Sequence, residues 1–135
     1  MQSFRQPALR SALAGALLAT AGLAQAQAYP DKPVRIVVPF PPGGNVDIGA
    51  RIIGAALQAE WNQPFLVDNK PGASGLIGGD FAAKSKPDGY TLLSDSSSYA
   101  IFPAFFNKLD FDPIKDLIPV TNMHESVSVL VMPAT

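Results

Sequence analysis

Val34-Arg35-Ile36-Val37-Val38-Pro39-Phe40-Pro41-Pro42-Gly43-Gly44-Asn45-Val46-Asp47-Ile48-Gly49-Ala50-Arg51 changes its hydrophobic period in the middle. Val34 to Val38 is a β-branched run between Pro33 and Pro39, which predicts a buried strand. Pro41-Pro42-Gly43-Gly44 breaks it. From Val46 to Trp61 the spacing is helical, with Ile48, Ile52 and Ala56 in one row and Ile53, Leu57 and Trp61 in the next. Asn45 is read as the N-cap, and Asp47 falls in the first turn, where a carboxylate suits the helix dipole. Pro64 stops the helix, and Phe65-Leu66-Val67 is a second strand. Asp68 to Gly72 is turn chemistry, followed by a helix predicted over Ser74 to Lys84 that buries Leu76, Ile77 and Phe81. Pro87-Asp88-Gly89 turns into a third strand, Tyr90 to Leu93. The order β-α-β-α-β specifies an α/β fold with a parallel sheet and crossover helices.

Outward from this unit the pattern weakens. Ser94-Asp95-Ser96-Ser97-Ser98 is a polar loop, and Tyr99 to Phe106 is an aromatic helix that Pro103 should interrupt. Leu109 to Lys115 is a connector, and Ile118-Pro119-Val120 and Val127 to Val131 are strand candidates. At the other end, residues 1–28 have the layout of a secretory signal peptide. Arg5 and Arg10 precede a 13-residue apolar run, Ala12 to Ala24, and the A-x-A patterns ending at Ala26 and Ala28 follow it. That run is too short for a bilayer core about 30 Å thick. No cysteine follows it, so no lipid anchor is expected after cleavage.

Composition excludes other classes. The chain has 135 residues, 47% apolar and 16% charged, with no Cys and a net charge of −1. It is too apolar for disorder and cannot form disulfides. Loss of Arg5 and Arg10 with the leader leaves eight basic against eleven acidic residues, a balance that recruits neither nucleic acid nor an anionic membrane.

In an open parallel sheet, ligands bind outside the carboxyl ends of the strands. Three loops leave those ends: Phe40 to Asp47, Asn69 to Gly75, and Ser94 to Ser98. Two are glycine-rich and lead into helix N-termini, where free N–H groups favour anions, and the third carries three successive hydroxyls. Together they suit a small carboxylate. By residue type alone, the same glycines and prolines serve equally as tight turns. Enzyme signatures are weak. Gly72-x-x-Gly75-x-x-Gly78, with Asp95 beyond it, imitates a dinucleotide fingerprint at the wrong spacing. Gly43-Gly44 has no Lys-Ser/Thr after it, and Gly72-Ala73-Ser74-Gly75 falls one residue short of a nucleophile elbow. His124 is the sole histidine, too few for a zinc site.

Four stretches resemble the Bug-type periplasmic solute-binding receptors of tripartite tricarboxylate transporters. They are Tyr29-Pro30-Asp31-Lys32-Pro33-Val34-Arg35-Ile36-Val37-Val38-Pro39-Phe40-x-Pro42-Gly43-Gly44-x-x-Asp47-x-x-Ala50-Arg51, then Asp68-Asn69-Lys70-Pro71-Gly72-Ala73-x-Gly75-x-Ile77-Gly78, then Pro87 to Leu93, then Phe111-Asp112-Pro113-x-Lys115-Asp116-Leu117-x-Pro119-Val120. The resemblance implies a periplasmic-binding-protein lobe of the type II, Venus-flytrap kind, with a mostly parallel sheet flanked by helices. It implies a periplasmic receptor that takes a small carboxylate between two lobes and passes it to membrane permease subunits, with no catalysis, cofactor or metal. Its ligand-binding positions here would be Phe40 as an apolar wall, with Pro42, Gly43, Gly44, Asn45 and Asp47. Ala73, Ser74 and Gly75 form the second loop and Ser96, Ser97 and Ser98 the third. Asn45 stands where the family commonly has Ser or Thr, which removes a hydroxyl contact. The family's precursors are about twice this length or more, so residues 29–135 are expected to be an incomplete first lobe without the second. An exported α/β enzyme, a nucleotide-binding domain and a nonfunctional truncated remnant are the competing expectations.

Overall fold

The structure, a computed structural model, describes residues 29–106, 108–123 and 125. The leader, His124 and the strand expected at Val127 to Val131 lie outside the described residues. Three strands, β1 (Val34–Val38), β2 (Phe65–Asn69) and β3 (Thr91–Leu93), form a parallel sheet in the order β2-β1-β3. Val34 pairs with Phe65 and Val38 with Asn69 on one side of β1, and Arg35 pairs with Thr91 on the other. The helices are α1 (Asn45–Trp61), α2 (Leu76–Ala83) and α3 (Ser98–Phe105), and a 3₁₀ turn, Ala73–Gly75, leads into α2. The sequence reading of a β-α-β-α-β parallel sheet therefore holds.

Strand β1 is central, paired with β2 on one edge and β3 on the other, and both of its faces are covered. With a side-chain period of two, Val34, Ile36 and Val38 face α1 and form the core with Val46, Ala50 and Phe65. Val37 and Pro39 face the opposite way, toward α2, and both are buried. The crossover from β1 to β2 and the one from β2 back past β1 to β3 run in opposite directions, so right-handed connections place the two helices on opposite faces.

Small residues decide which face of α1 is buried. Its buried positions are Val46, Asp47, Ala50 and Gly54, with Leu57 packed beside them. The row expected from hydrophobicity, Ile48 and Ile52, faces out at 50% and 65% exposure. A Cβ on Gly54 would already lie 3.4 Å from Ile36 Cδ1 and 3.5 Å from Phe65 Cβ, so the helix approaches the sheet along its smallest side chains. The helix ends at Asn62, which is left-handed (φ 52°) and returns its N–H to the Gln58 carbonyl, an αL cap. At the other end the N-cap is Gly44, and Asn45 is the first helical residue. The Asn45 side chain accepts from the Val46 N–H (2.9 Å) and does not cap the helix from outside.

Helix α2 is shorter than expected, because Ala73 and Ser74 take positive φ (46° and 56°) and the first turn tightens to 3₁₀. Its buried residues are Gly78 and Gly79; Leu76 and Phe81 are half-buried and Ile77 is exposed. Gly78 sits directly on Pro39, and Gly79 faces the rings of Phe102 and Phe111. Pro103 does not interrupt α3 but lies inside it. The helix is held by Phe102, 1% exposed, whose ring stands edge-on to Phe106 and Phe111 at centroid distances of 6.0 and 6.3 Å. Ile118-Pro119-Val120 is not a strand: no described residue pairs with it, and Ile118 is 85% exposed.

At the amino edge of the sheet, Tyr29 to Lys32 is latched to the turn before β3. Tyr29 donates its hydroxyl to the Gly89 carbonyl (2.7 Å), and Tyr90 donates to Asp31 Oδ1 (2.6 Å) while accepting from the Asp31 N–H (3.0 Å). Lys32 lies 4.1 Å from the centre of the Tyr90 ring. Two of the four resembling stretches are thus the two halves of one contact. No helix among the described residues is long and apolar enough to cross a membrane.

Candidate functional site

All three expected loops emerge at the carboxyl edge. The ladders extend past the strands: Lys70 N–H donates to the Val38 carbonyl (2.8 Å) and Ser94 N–H to the Val37 carbonyl (2.9 Å). In the order β2-β1-β3 the progression of the strand order reverses between β1 and β3, the topological switch point where open α/β sheets hold ligands. The loop after β1 and the loop after β3 flank that point.

The loop after β1 is built around Asp47. This carboxylate is 2% exposed. Its Oδ2 accepts from the Gly43 N–H (2.9 Å) and Arg51 Nε (3.0 Å), and its Oδ1 accepts from Asn69 Nδ2 (2.9 Å) and pairs with the second Arg51 nitrogen (3.0 Å). The Arg51 hydrogen bond, then those from Gly43 and Asn69, hold the Asp47 carboxyl well below the usual carboxylate range, at about 2. Asn69 is the node between loops. Its amide nitrogen also donates to the Phe40 carbonyl (3.1 Å), and its oxygen accepts from Arg51 (3.0 Å). Gly43, at φ +88°, takes the left-handed turn that aims its N–H at Asp47.

This arrangement redistributes the expected donors. The Gly43 N–H is spent on Asp47 and so is not a donor for a ligand. Gly75 N–H donates to the Gly72 carbonyl (3.0 Å) and Leu76 N–H to the Ala73 carbonyl, so the second loop's own turn uses them. Pro42, Gly43, Gly44 and Asn45 are exposed, Phe40 is half-buried, and Ala73 and Ser74 are exposed beside buried Gly75. Ser96 and Ser97 are exposed and Ser98 opens α3. Ala73 and Ser74 are successive non-glycine residues at positive φ, a backbone arrangement that surrounding structure must enforce. Residue-type reasoning gave Asn69 no role beyond opening the second loop and passed over Arg51. Arg51 carried a signal, four residues after Asp47 on one helix face. Asn69 had none beyond turn composition, because its partners are distant in sequence. Among the described residues no cluster of His, Asp or Glu could hold a metal ion.

This parallel α/β unit, with its loops at one carboxyl edge, is similar to part of solved periplasmic proteins. A protein described as a periplasmic transporter is 48% identical, with a TM-score of 0.62, over 65% of this chain and 30% of that one. MatC from Rhodopseudomonas palustris, solved with bound malate, is 35% identical, with a TM-score of 0.59 over the same shares. Residues 49–135 match the tripartite tricarboxylate transporter family receptor, and the chain belongs to that family of solute-binding receptors. Protein BugT of Bordetella pertussis is 42% identical over 125 residues, 89% of this chain and 38% of that protein. A protein from the tcbD-tcbE intergenic region of Pseudomonas sp. strain P51 is 40% identical over 129 residues. The chain spans 38% of the length of each of these two relatives.

Proposed function

We propose that residues 29–135 act as the first lobe of a periplasmic receptor that grips one side of a small carboxylate and presents it, closed under a second lobe, to the permease of a tripartite tricarboxylate-type transporter. The leader at 1–28 would carry the chain across the inner membrane. The observation that carries this reading is that the loops after β1 and β3 flank the switch point of a chain that belongs to a receptor family. The malate bound to MatC supports a small dicarboxylate as the ligand class. In this reading the contacts come from the backbone of Gly44 and Asn45 at the start of α1, from the Asn45 side-chain amide, and from the hydroxyls of Ser74, Ser96 and Ser97. Phe40 supplies an apolar wall. Asp47 serves as scaffold, because Gly43, Arg51 and Asn69 already occupy both of its oxygens.

The test is a titration of the isotope-labelled chain, residues 29–135, with malate, followed through backbone amide resonances. The expected result is a saturable shift confined to residues 40–45, 73–77 and 94–98, absent with the uncharged diamide of malate. Equal responses to both compounds, or shifts scattered over the surface, would refute the carboxylate reading.

A further inference from the structure

Asp47 places a buried negative charge directly behind a loop proposed to receive an anion. Two residues outside the expected site deal with that charge and with the loop's shape. Arg51 covers both carboxylate oxygens, and Asn69, at the end of β2, reaches across to the Phe40 carbonyl and to Asp47 at once. Gly43 then closes the loop onto the same carboxylate. The loop after β1 is therefore fixed from three directions: by its own helix through Asp47, by the neighbouring strand through Asn69, and by a guanidinium that neutralises the centre.

We propose that Asn69 and Arg51 are positioning residues of the ligand site, forming with Asp47 a charge-neutral clasp that sets the conformation of the Phe40–Gly44 loop. This rests on the receptor reading for its functional meaning, but the clasp itself is measurable without ligand. Asn69 is the residue that makes the geometry of one ligand loop depend on the other, since it ends β2 just before the Lys70–Gly75 loop. Arg51 removes a repulsion that an incoming carboxylate would otherwise meet within a Debye length of about 8–10 Å.

The experiment uses residues 29–135 in four forms: the native chain, Asn69→Ala, Arg51→Gln, and the double variant Asp47→Asn with Arg51→Gln. Arg51 is half-exposed, so its variants are expected to fold. Amide hydrogen exchange is read at Gly43, with Val34 and Ser94 as references bonded elsewhere in the sheet, to Pro64 and Val37. Asn69→Ala should speed exchange at Gly43 about tenfold or more relative to both references, and Arg51→Gln less. The double variant keeps an acceptor for Gly43 without a net charge, and Gly43 protection should return to within about threefold of native. Malate titration of the same samples should show Arg51→Gln weakened about fivefold or more and the double variant recovered. Exchange that rises equally at Gly43, Val34 and Ser94 in Asn69→Ala would mean a general structural role and overturn the proposal. So would an Arg51→Gln chain that binds malate as the native does. A native chain that shows no shift even at the roughly 100 mM malate that one open lobe calls for would sink the receptor reading, while Gly43 exchange still decides whether the clasp exists.

Discussion

Adding one methyl group at two glycines should move stability in opposite directions. A Cβ on Gly78 would stand 2.7 Å from Pro39 Cβ, 2.9 Å from Pro39 Cα and 3.1 Å from the Lys70 carbonyl oxygen. Ordinary carbon contacts lie at about 3.5–4.0 Å. None of the three atoms is the end of a flexible side chain, so α2 or the end of β1 must shift. Overpacking of this kind costs about 1–3 kcal/mol, and backbone partners place it near the top of that range. Replacing a helical Gly with Ala returns about 1 kcal/mol of propensity. The net loss for Gly78→Ala is about 2 kcal/mol, or about 8–16 °C in Tm for a domain of this size. A Cβ on Gly54, at 3.4–3.7 Å from Ile36 and Phe65, meets only ordinary contacts. Gly54→Ala should therefore keep the propensity gain and raise Tm by about 2–8 °C. Thermal unfolding of residues 29–135, followed by circular dichroism at one pH and concentration, measures both. A Gly78→Ala chain as stable as the native would refute the close approach of α2 to Pro39, and with it the base on which the loops after β1 and β2 stand.

Three further outcomes are expected. Asp47 titrates at about 2 in the fold against 3.8 unperturbed, so its stabilisation is present above about pH 4 and is lost as pH falls toward 2; Tm measured across this window should drop less in Asp47→Asn than in the native chain. Tyr29→Ala removes a ring at centroid distances of 5.1 Å from Tyr90 and 6.2 Å from Trp61, and should cost about 1 kcal/mol while red-shifting the emission of the single tryptophan. Residues 29–135 alone should bind malate no tighter than millimolar: three or four hydrogen bonds at about 0.5–1.5 kcal/mol each from exposed loops barely offset about 4 kcal/mol or more of immobilisation, and micromolar affinity by calorimetry would show that one lobe suffices.

The strand and helix order was legible because β1 announces itself twice, by composition and by the prolines at both ends. The parallel topology followed from the alternation of periods. The burial of α1 was not legible. Hydropathy weights Ile48 and Ile52 above Ala50 and Gly54, yet the sheet accepts the small row because contact distance, and not side-chain hydrophobicity, sets how near a helix axis can come. The same physics explains α2, where two glycines are the buried residues and Ile77 is exposed. The loops were legible as locations, since strand ends in a parallel sheet can be counted from sequence.

Their donors were not legible, and the reason is general. A glycine in a loop is an offered N–H only if no nearer acceptor claims it, and a loop tight enough to need glycine usually folds back on its own polar groups. Gly43 and Gly75 are both claimed, one by a carboxylate four residues on and the other by a carbonyl three residues back. In the proposed site, what is left for a ligand is the start of α1 and the Ser74 and Ser97 side chains. These groups have fixed positions only if the loop after β1 is rigid. The carboxylate that takes the Gly43 N–H out of the site is thus part of what would give the site its shape, and the residues that hold that carboxylate, Arg51 and Asn69, belong to the recognition problem although neither needs to touch the ligand.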